Sequence, residues 1–396
     1  MQVIYAQEPL PTTVKKTIFL AGPSPRTDED LSWRPEALRL LELMKYDGHV
    51  FSPEPRDGKF QDYVGQIEWE TAALERADVI LFWIPRTKMM PGLTTNVEWG
   101  VWMKSGTVVV GSPDGAESMR YIKHLAQKHN VPSFDSLSTA TLVAIDKLGA
   151  GSERNGEGEC QVPLNVWTHP TFQAWYSAQV NAGNKLNRAR VLWTFRVGPK
   201  QDIVFSWVVQ VEVYITSEGR VKNNEFVFGR TDLTSVVMYH HPEPNMGFTA
   251  TEVVLVREFR SPGRTKTGFV YDLPGGSSKN TEDATLKVAV DEIEEETSFK
   301  VDPSRLYRVG KLQVAATLSA HTCALYGLEL SAEEMQTLKA IAASGKPFGV
   351  LEETERTYVE VMPLSTIMER NLLDWSTVGM LLTTTLGGRC LSYEVP

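Results

Sequence analysis

Three observations predict an α/β chain of two domains, the first built on a parallel sheet. Over the first 150 residues, short apolar strands alternate with segments of helical periodicity, the order that yields a parallel sheet covered by helices. Residues 163–396 carry strand patterns on both sides of a strand–turn–helix stretch at 269–299, as an α/β/α sandwich does. Between the two, residues 151–162 are polar, glycine-rich and acidic, and read as a linker.

Length and composition agree. A chain of 396 residues is too long for one ordinary domain, and 42% hydrophobic with 22% charged residues is a globular balance. The net charge of -9 argues against a broad nucleic-acid surface, which needs clustered Lys and Arg. Without a run of about 18 apolar residues, no membrane span is expected. The start, MQVIYAQEPLPTTVKK, lacks the basic-then-apolar order of a secretory signal. Cys160, Cys323 and Cys390 are far apart and fit no zinc spacing, so they read as reduced thiols of a cytoplasmic protein. No internal repeat is present.

In chain order, residues 17–23 (TIFLAGP) form a buried strand that ends in a turn. Residues 36–44 and 67–77 have helical spacing, and residues 78–84 (DVILFWI) are a second long apolar strand. Residues 95–103 and 107–111 add a helix and a strand. In such a sheet ligands bind beyond the carboxyl ends of the strands, which directs attention to Gly22 through Arg26, to Pro85-Arg86, and to residues 92–100, GLTTNVEWG. Glu98 stands between Val97 and Trp99, an acid in apolar company, although a surface position in the helix's first turn fits it equally. Trp33, Trp69, Trp83, Trp99 and Trp102 make the region aromatic-rich, mostly core with one free to stack on a planar ligand, while Glu68 and Glu70 read as a solvated face.

The strand–Ala-Gly-Pro, Ala-Asp–strand and Thr-x-x-Glu-x-Gly patterns, in that order over about residues 16–145, resemble the nucleoside 2-deoxyribosyltransferase family. The resemblance implies a Rossmann-like fold, small-molecule nucleoside or nucleotide substrates, no cofactor in this domain, and cleavage of the bond between base and deoxyribose. It implies that Glu98 is the nucleophile and Asp78 a second acid, with Gly22, Arg26 and Asn96 holding substrate. Two carboxylates suit the chemistry: one attacks C1′, the other helps protonate the leaving base, and nearby negative charge steadies an oxocarbenium-like transition state. Arg26 is read as a phosphate contact or a plain surface arginine.

In the second half, residues 203–216, 225–228, 235–239 and 251–259 have strand patterns, and 170–187 and 375–386 helical ones. Residues 273–299 read LPGGSSKNTEDATLKVAVDEIEEETSF, in which Glu292, Glu295 and Glu296 share one helical face at i, i+3 and i+4. Such a cluster repels itself unless a hard divalent cation offsets the charge. The stretch resembles the Nudix box, with Gly276 as its glycine, Glu282 or Asp283 as its first acid, and Asp291 and Ser298 where the family has arginine and glycine. The resemblance implies Mg²⁺ or Mn²⁺ on Glu292, Glu295 and Glu296, with Glu295 also catalytic, and hydrolysis of a nucleoside diphosphate linkage such as that of ADP-ribose. Arg257 and Arg260 would face the diphosphate, and Glu352, Glu353 and Glu355 lie where some relatives keep a base. Relatives of both halves imply a homo-oligomer. The altered box keeps an alternative open, a nucleotide-binding sensor with one or both domains inactive.

Overall fold

The computed structural model describes residues 1–25, 31–57, 62–242, 246–277, 282–349 and 356–387, with the side chains of Glu282 and Asp283 excepted. Arg26, Glu352, Glu353, Glu355 and Cys390, all singled out above, lie outside the described residues, as do the side chains of both candidates for the first acid of the box.

The chain divides into two compact units, Met1–Gly229 and Arg230–Pro396. The first contains a six-stranded parallel sheet of β1 (Gln2–Tyr5), β3 (Thr17–Ala21), β4 (His49–Ser52), β5 (Val79–Trp83), β6 (Val108–Gly111) and β7 (Ser133–Phe134) in the order β1-β4-β3-β5-β6-β7. All residues of β3 and β5 are buried, as expected of parallel strands covered on both faces. Helices α1 (Arg34–Leu43), α2 (Tyr63–Arg76), α3 (Leu93–Trp102), α4 (Arg120–Lys128) and α5 (Leu137–Leu148) lie between the strands in sequence. Each begins for a local reason where one is visible: a proline in the first turn of α1, and Asp62 accepting from the Val64 and Gly65 amides at the start of α2. The chain passes from β3 to β4 on one side and then to β5 on the other. The carboxyl ends of β3 and β5 therefore flank the topological switch point, where an open α/β sheet leaves a crevice.

Residues 151–162 are not a linker. Arg154 and Asp78 form an ion pair with both side chains at 0% exposure, Nη2 to Oδ2 2.6 Å. The segment folds as β8 (Arg154–Asn155), paired with β2 (Thr13–Val14), and α6 (Glu157–Cys160). The first unit continues through α7 (Leu164–Trp167), α8 (Pro170–Asn181) and an antiparallel sheet of β9 (Lys185–Val197), β10 (Ile203–Ile215) and β11 (Arg220–Arg230), ordered β11-β10-β9. The expected boundaries of 1–150 and 163–396 thus give way to a division after Gly229, because a buried charge pair stitches the polar stretch to the parallel sheet.

The second unit is a mixed sheet of β12 (Leu233–His240), β13 (Glu252–Phe259), β14 (Phe269–Asp272), β15 (Gly275–Ser277), β16 (Tyr307–Gln313), β17 (Thr322–Glu329) and β18 (Thr357–Pro363). The main order is β14-β13-β12-β17-β16, with β15 on β12, β18 on β13, and β12 parallel to β17. Alternate residues of β12 enter two separate cores. Val236 and Met238 pack with Ala289 and Ile293 of α9 (Glu282–Thr297) and with Met335 and Leu338 of α10 (Ala332–Ser344). Val237 and Tyr239 pack with Leu364 and Ile367 of α11 (Leu364–Arg370) and with Leu381 of α12 (Trp375–Gly387). Period-two alternation thus gives helices on both faces, a three-layer unit. Among the described residues no helix is long and apolar enough to cross a membrane. Cys160 and Cys323 are buried free thiols.

Candidate active site

Glu98 sits on α3, the helix that follows β5, half-buried at the switch point. The helix is fixed from beneath by Trp99, which is 2% exposed and meets the Phe82 ring edge-on at 5.6 Å. Burial pushes the Glu98 carboxyl up to about 7; the neighbouring Glu70 carboxylate adds to this and the Arg34 guanidinium opposes it. Near neutral pH it is therefore divided between an ionised form that can attack carbon and a protonated one.

Glu70, on α2, is the second carboxylate of the site. Burial raises it too, against a hydrogen bond from Gln66 and the charge of Arg34. Gln66 Nε2 donates to Glu70 Oε1 at 2.6 Å and to the Pro53 carbonyl at 2.8 Å, which fixes the amide's orientation. Read above as part of a solvated face with Glu68, Glu70 instead lies on the buried stripe of its helix. Gln66 and Leu74, four residues to either side, are both buried. That spacing was the available signal.

Arg34 is the fixed cation beside the pair. It is 1% exposed, and its guanidinium donates to the Leu20 and Gly22 carbonyls, to Ser24 Oγ and to Glu54 Oε1 at 2.7–3.0 Å. It thereby ties the loop after β3 to the chain after β4. Gly22 has φ +149°, and a side chain there would strike the Trp83 carbonyl and the Trp33 ring, so the loop can close over the strand end only with glycine.

Asp78 does not join this site. Its Oδ2 accepts from the Thr17 amide (2.8 Å) and hydroxyl (3.0 Å), its Oδ1 from the Leu164 amide (2.8 Å), and both from Arg154. It precedes the first residue of β5, whereas Glu98 follows the last, so a strand of roughly 17 Å separates the two ends. Asp78 is thus held in a buried structural network away from Glu98, whose carboxylate neighbour is Glu70. Asn96, two positions from Glu98 and thus on the opposite side of α3, accepts from Arg86 Nη2 at 2.5 Å.

The carboxylates open into a cavity of about 820 Å³. Faces of α2 and α3 (Glu70, Leu74, Val97, Glu98, Val101, Trp102) form one side, and Gln161, Asn165 and residues 190–194 of β9 the other. The lining mixes apolar side chains with polar and charged ones, among them Glu75, Lys104 and Arg190. Of the five tryptophans singled out by sequence, Trp33, Trp69, Trp83 and Trp99 are core, and Trp102 lines the cavity.

In the second unit, Glu296 is 4% exposed and accepts from the Gly275 amide at 2.9 Å. Glu292 lies against Gly276, where any side chain would overlap its carboxylate. Glu295 is exposed. Among the described residues no group of three His, Cys, Asp or Glu is gathered so as to hold a metal ion. Two of the three glutamates, Glu292 and Glu296, seat the turn on α9. Arg257 pairs with Glu360 (Nε to Oε1 2.9 Å) and lies over the rings of Phe269 and Tyr358 at 4.9 and 4.7 Å. Arg260 pairs with Glu258 at 2.6 Å. Both arginines already have carboxylate partners.

None of the curated proteins compared with the chain matches it. One family model does, described as "Nucleoside 2-deoxyribosyltransferase like", over residues 15–116. That span holds Glu98, Glu70 and Arg34 and ends before Gln161 and β9; the second unit lies outside it. Within the first unit, residues 15–116 are thus similar to nucleoside 2-deoxyribosyltransferase-like domains.

Proposed function

We propose that the first unit breaks the N-glycosidic bond of a nucleoside, with Glu98 as nucleophile and Glu70 as the acid that serves the leaving base. The observation that carries this reading is the pairing of two half-buried carboxylates, both raised, in one cavity, with the buried Arg34 guanidinium acting on both. Ionised Glu98 attacks C1′ and the C1′–N bond breaks, leaving a glycosyl ester on the enzyme. The departing base takes a proton from Glu70, which becomes ionised just as positive charge builds on the sugar. A second base or a water then attacks C1′ and returns the Glu98 carboxylate, with Glu70 accepting the incoming nucleophile's proton. A second base gives transfer, and water gives hydrolysis.

The test is base release from a panel of nucleosides and nucleotides. Glu98→Gln and Glu98→Ala should abolish it. Base release at the wild-type rate in either variant removes Glu98 from this role.

A second reading concerns the other unit. Its three layers and the turn seated on α9 by Glu292 and Glu296 support a Nudix-like scaffold that binds a nucleotide. No step is assigned to a metal. Incubation with ADP-ribose and other nucleoside diphosphate compounds separates hydrolase from sensor. Turnover that Glu295→Gln abolishes supports the first, and binding without turnover supports the second.

A further inference from the structure

The cavity has a wall that lies outside the matched region of residues 15–116. It consists of Gln161, Asn165 and the middle of β9. The strand is clamped at both ends of its passage over the cavity. Gln161 Oε1 accepts from the Ala189 amide at 2.8 Å, and Arg196 Nη2 donates to the Lys104 carbonyl, just past α3, at 2.7 Å. Between the clamps the pairing with β10 slips: Val191 opposes Val209 and Trp193 opposes Val208, so Leu192 is an extra, bulged residue. Bulges re-aim side chains and occur beside functional sites. This one falls where the strand lines the cavity.

The groups presented there have distinct chemistry. Trp193 is half-exposed, an indole held on a clamped strand with much of its surface uncovered. Asn165 offers an amide whose Oδ1 is buried with no hydrogen-bond partner among the described residues. Rotation about its last bond exchanges oxygen and NH₂, so this side chain can present an acceptor or two donors to a ligand. An aromatic platform and an amide lining one cavity can together hold a planar heterocycle: stacking is tolerant of identity, while the amide reads the pattern of donors and acceptors on its edge.

We propose that Trp193 and Asn165 form the base-selecting wall of the Glu98 cavity, Trp193 stacking on the planar base of a nucleoside and Asn165 reading its edge. The proposal rests on the nucleoside reading above, and it assigns substrate choice to residues the matched family region does not contain. Neither residue takes part in bond breaking.

The experiment uses the full chain carrying Glu98→Gln, which binds without turning over, and measures affinity by calorimetry for deoxyadenosine, deoxyguanosine, deoxycytidine and thymidine. Trp193→Ala should weaken all four by roughly tenfold or more, with affinity restored by Trp193→Phe. Asn165→Ala should change the ranking among the bases, by roughly five- to a hundredfold at the preferred one. Unchanged affinities and ranking in both variants, with a preserved melting transition, overturn the proposal. So does failure of the Glu98→Gln chain to bind any of the four. Affinities that depend on Trp193 and Asn165, in a chain whose wild type releases no base, sustain the wall and refute the glycosidic reaction instead.

Discussion

Replacing Glu98 with glutamine changes the pH dependence of stability in a direction the site dictates. In the folded chain the carboxyl moves from its ordinary 4.5 to about 7, through burial first and Glu70 second, with Arg34 opposing. Between those values the folded state holds more proton than the unfolded one, so stability falls as pH rises through the window. The displacement corresponds to roughly 3 kcal/mol lost between the acid and alkaline plateaus. Glutamine keeps the shape and cannot ionise. The variant should match the wild type to within about 1 kcal/mol at pH 5 and exceed it by roughly 2–3 kcal/mol at pH 8. The assay is urea unfolding at the two pH values, supported by melting curves, where the pH 8 gain should be roughly 5–10 °C for a unit of this size. An equal gain at both pH values, or a loss at pH 8, would refute the account in which burial and Glu70 burden the ionised carboxylate. Base release should disappear in the same variant.

Glu70→Gln removes a neighbouring negative charge, so Glu98 should ionise at lower pH. The acidic limb of the rate profile should shift downward while base release slows by roughly a hundredfold, as expected for loss of a general acid, and an unmoved limb counts against the pairing. Arg154→Met leaves Asp78 buried without its cation and should cost roughly 3–5 kcal/mol in denaturant unfolding of the first unit, whereas a linker residue would cost nothing measurable. Gly22→Ala meets the Trp83 carbonyl and the Trp33 ring and should lower stability by roughly 1–3 kcal/mol, with activity lost from the folded fraction as the loop over the switch point shifts. Millimolar Mg²⁺ alone should leave the second unit's melting temperature within about 1 °C, because binding stabilises only where a site exists; a saturable rise abolished by Glu295→Gln would show that the glutamates do converge on a cation.

Much of this protein was legible in its sequence because strand and helix periodicities are local. The apolar runs at 17–21 and 79–83 are buried on both faces of a parallel sheet, and that alternation with helices leads directly to the switch point and to Glu98. Local pattern could not rank the acids. Asp78 and Glu70 are both carboxylates near a strand, and only the packed fold shows that the first faces Arg154 at the wrong end of β5 while the second shares a cavity with Glu98. The polar stretch at 151–162 misled for the same reason: Arg154 looks solvated until a partner 76 residues earlier in the chain is brought to it. The acidic run on α9 likewise follows helical spacing, which places side chains on one face without fixing what each one meets. Burial of Glu296 on the Gly275 amide and exposure of Glu295 are decided by the sheet beneath. Periodicity determines which elements form and which face they bury. Long-range contact decides which charges meet, because the energy of a buried carboxylate depends on partners that sequence proximity does not supply.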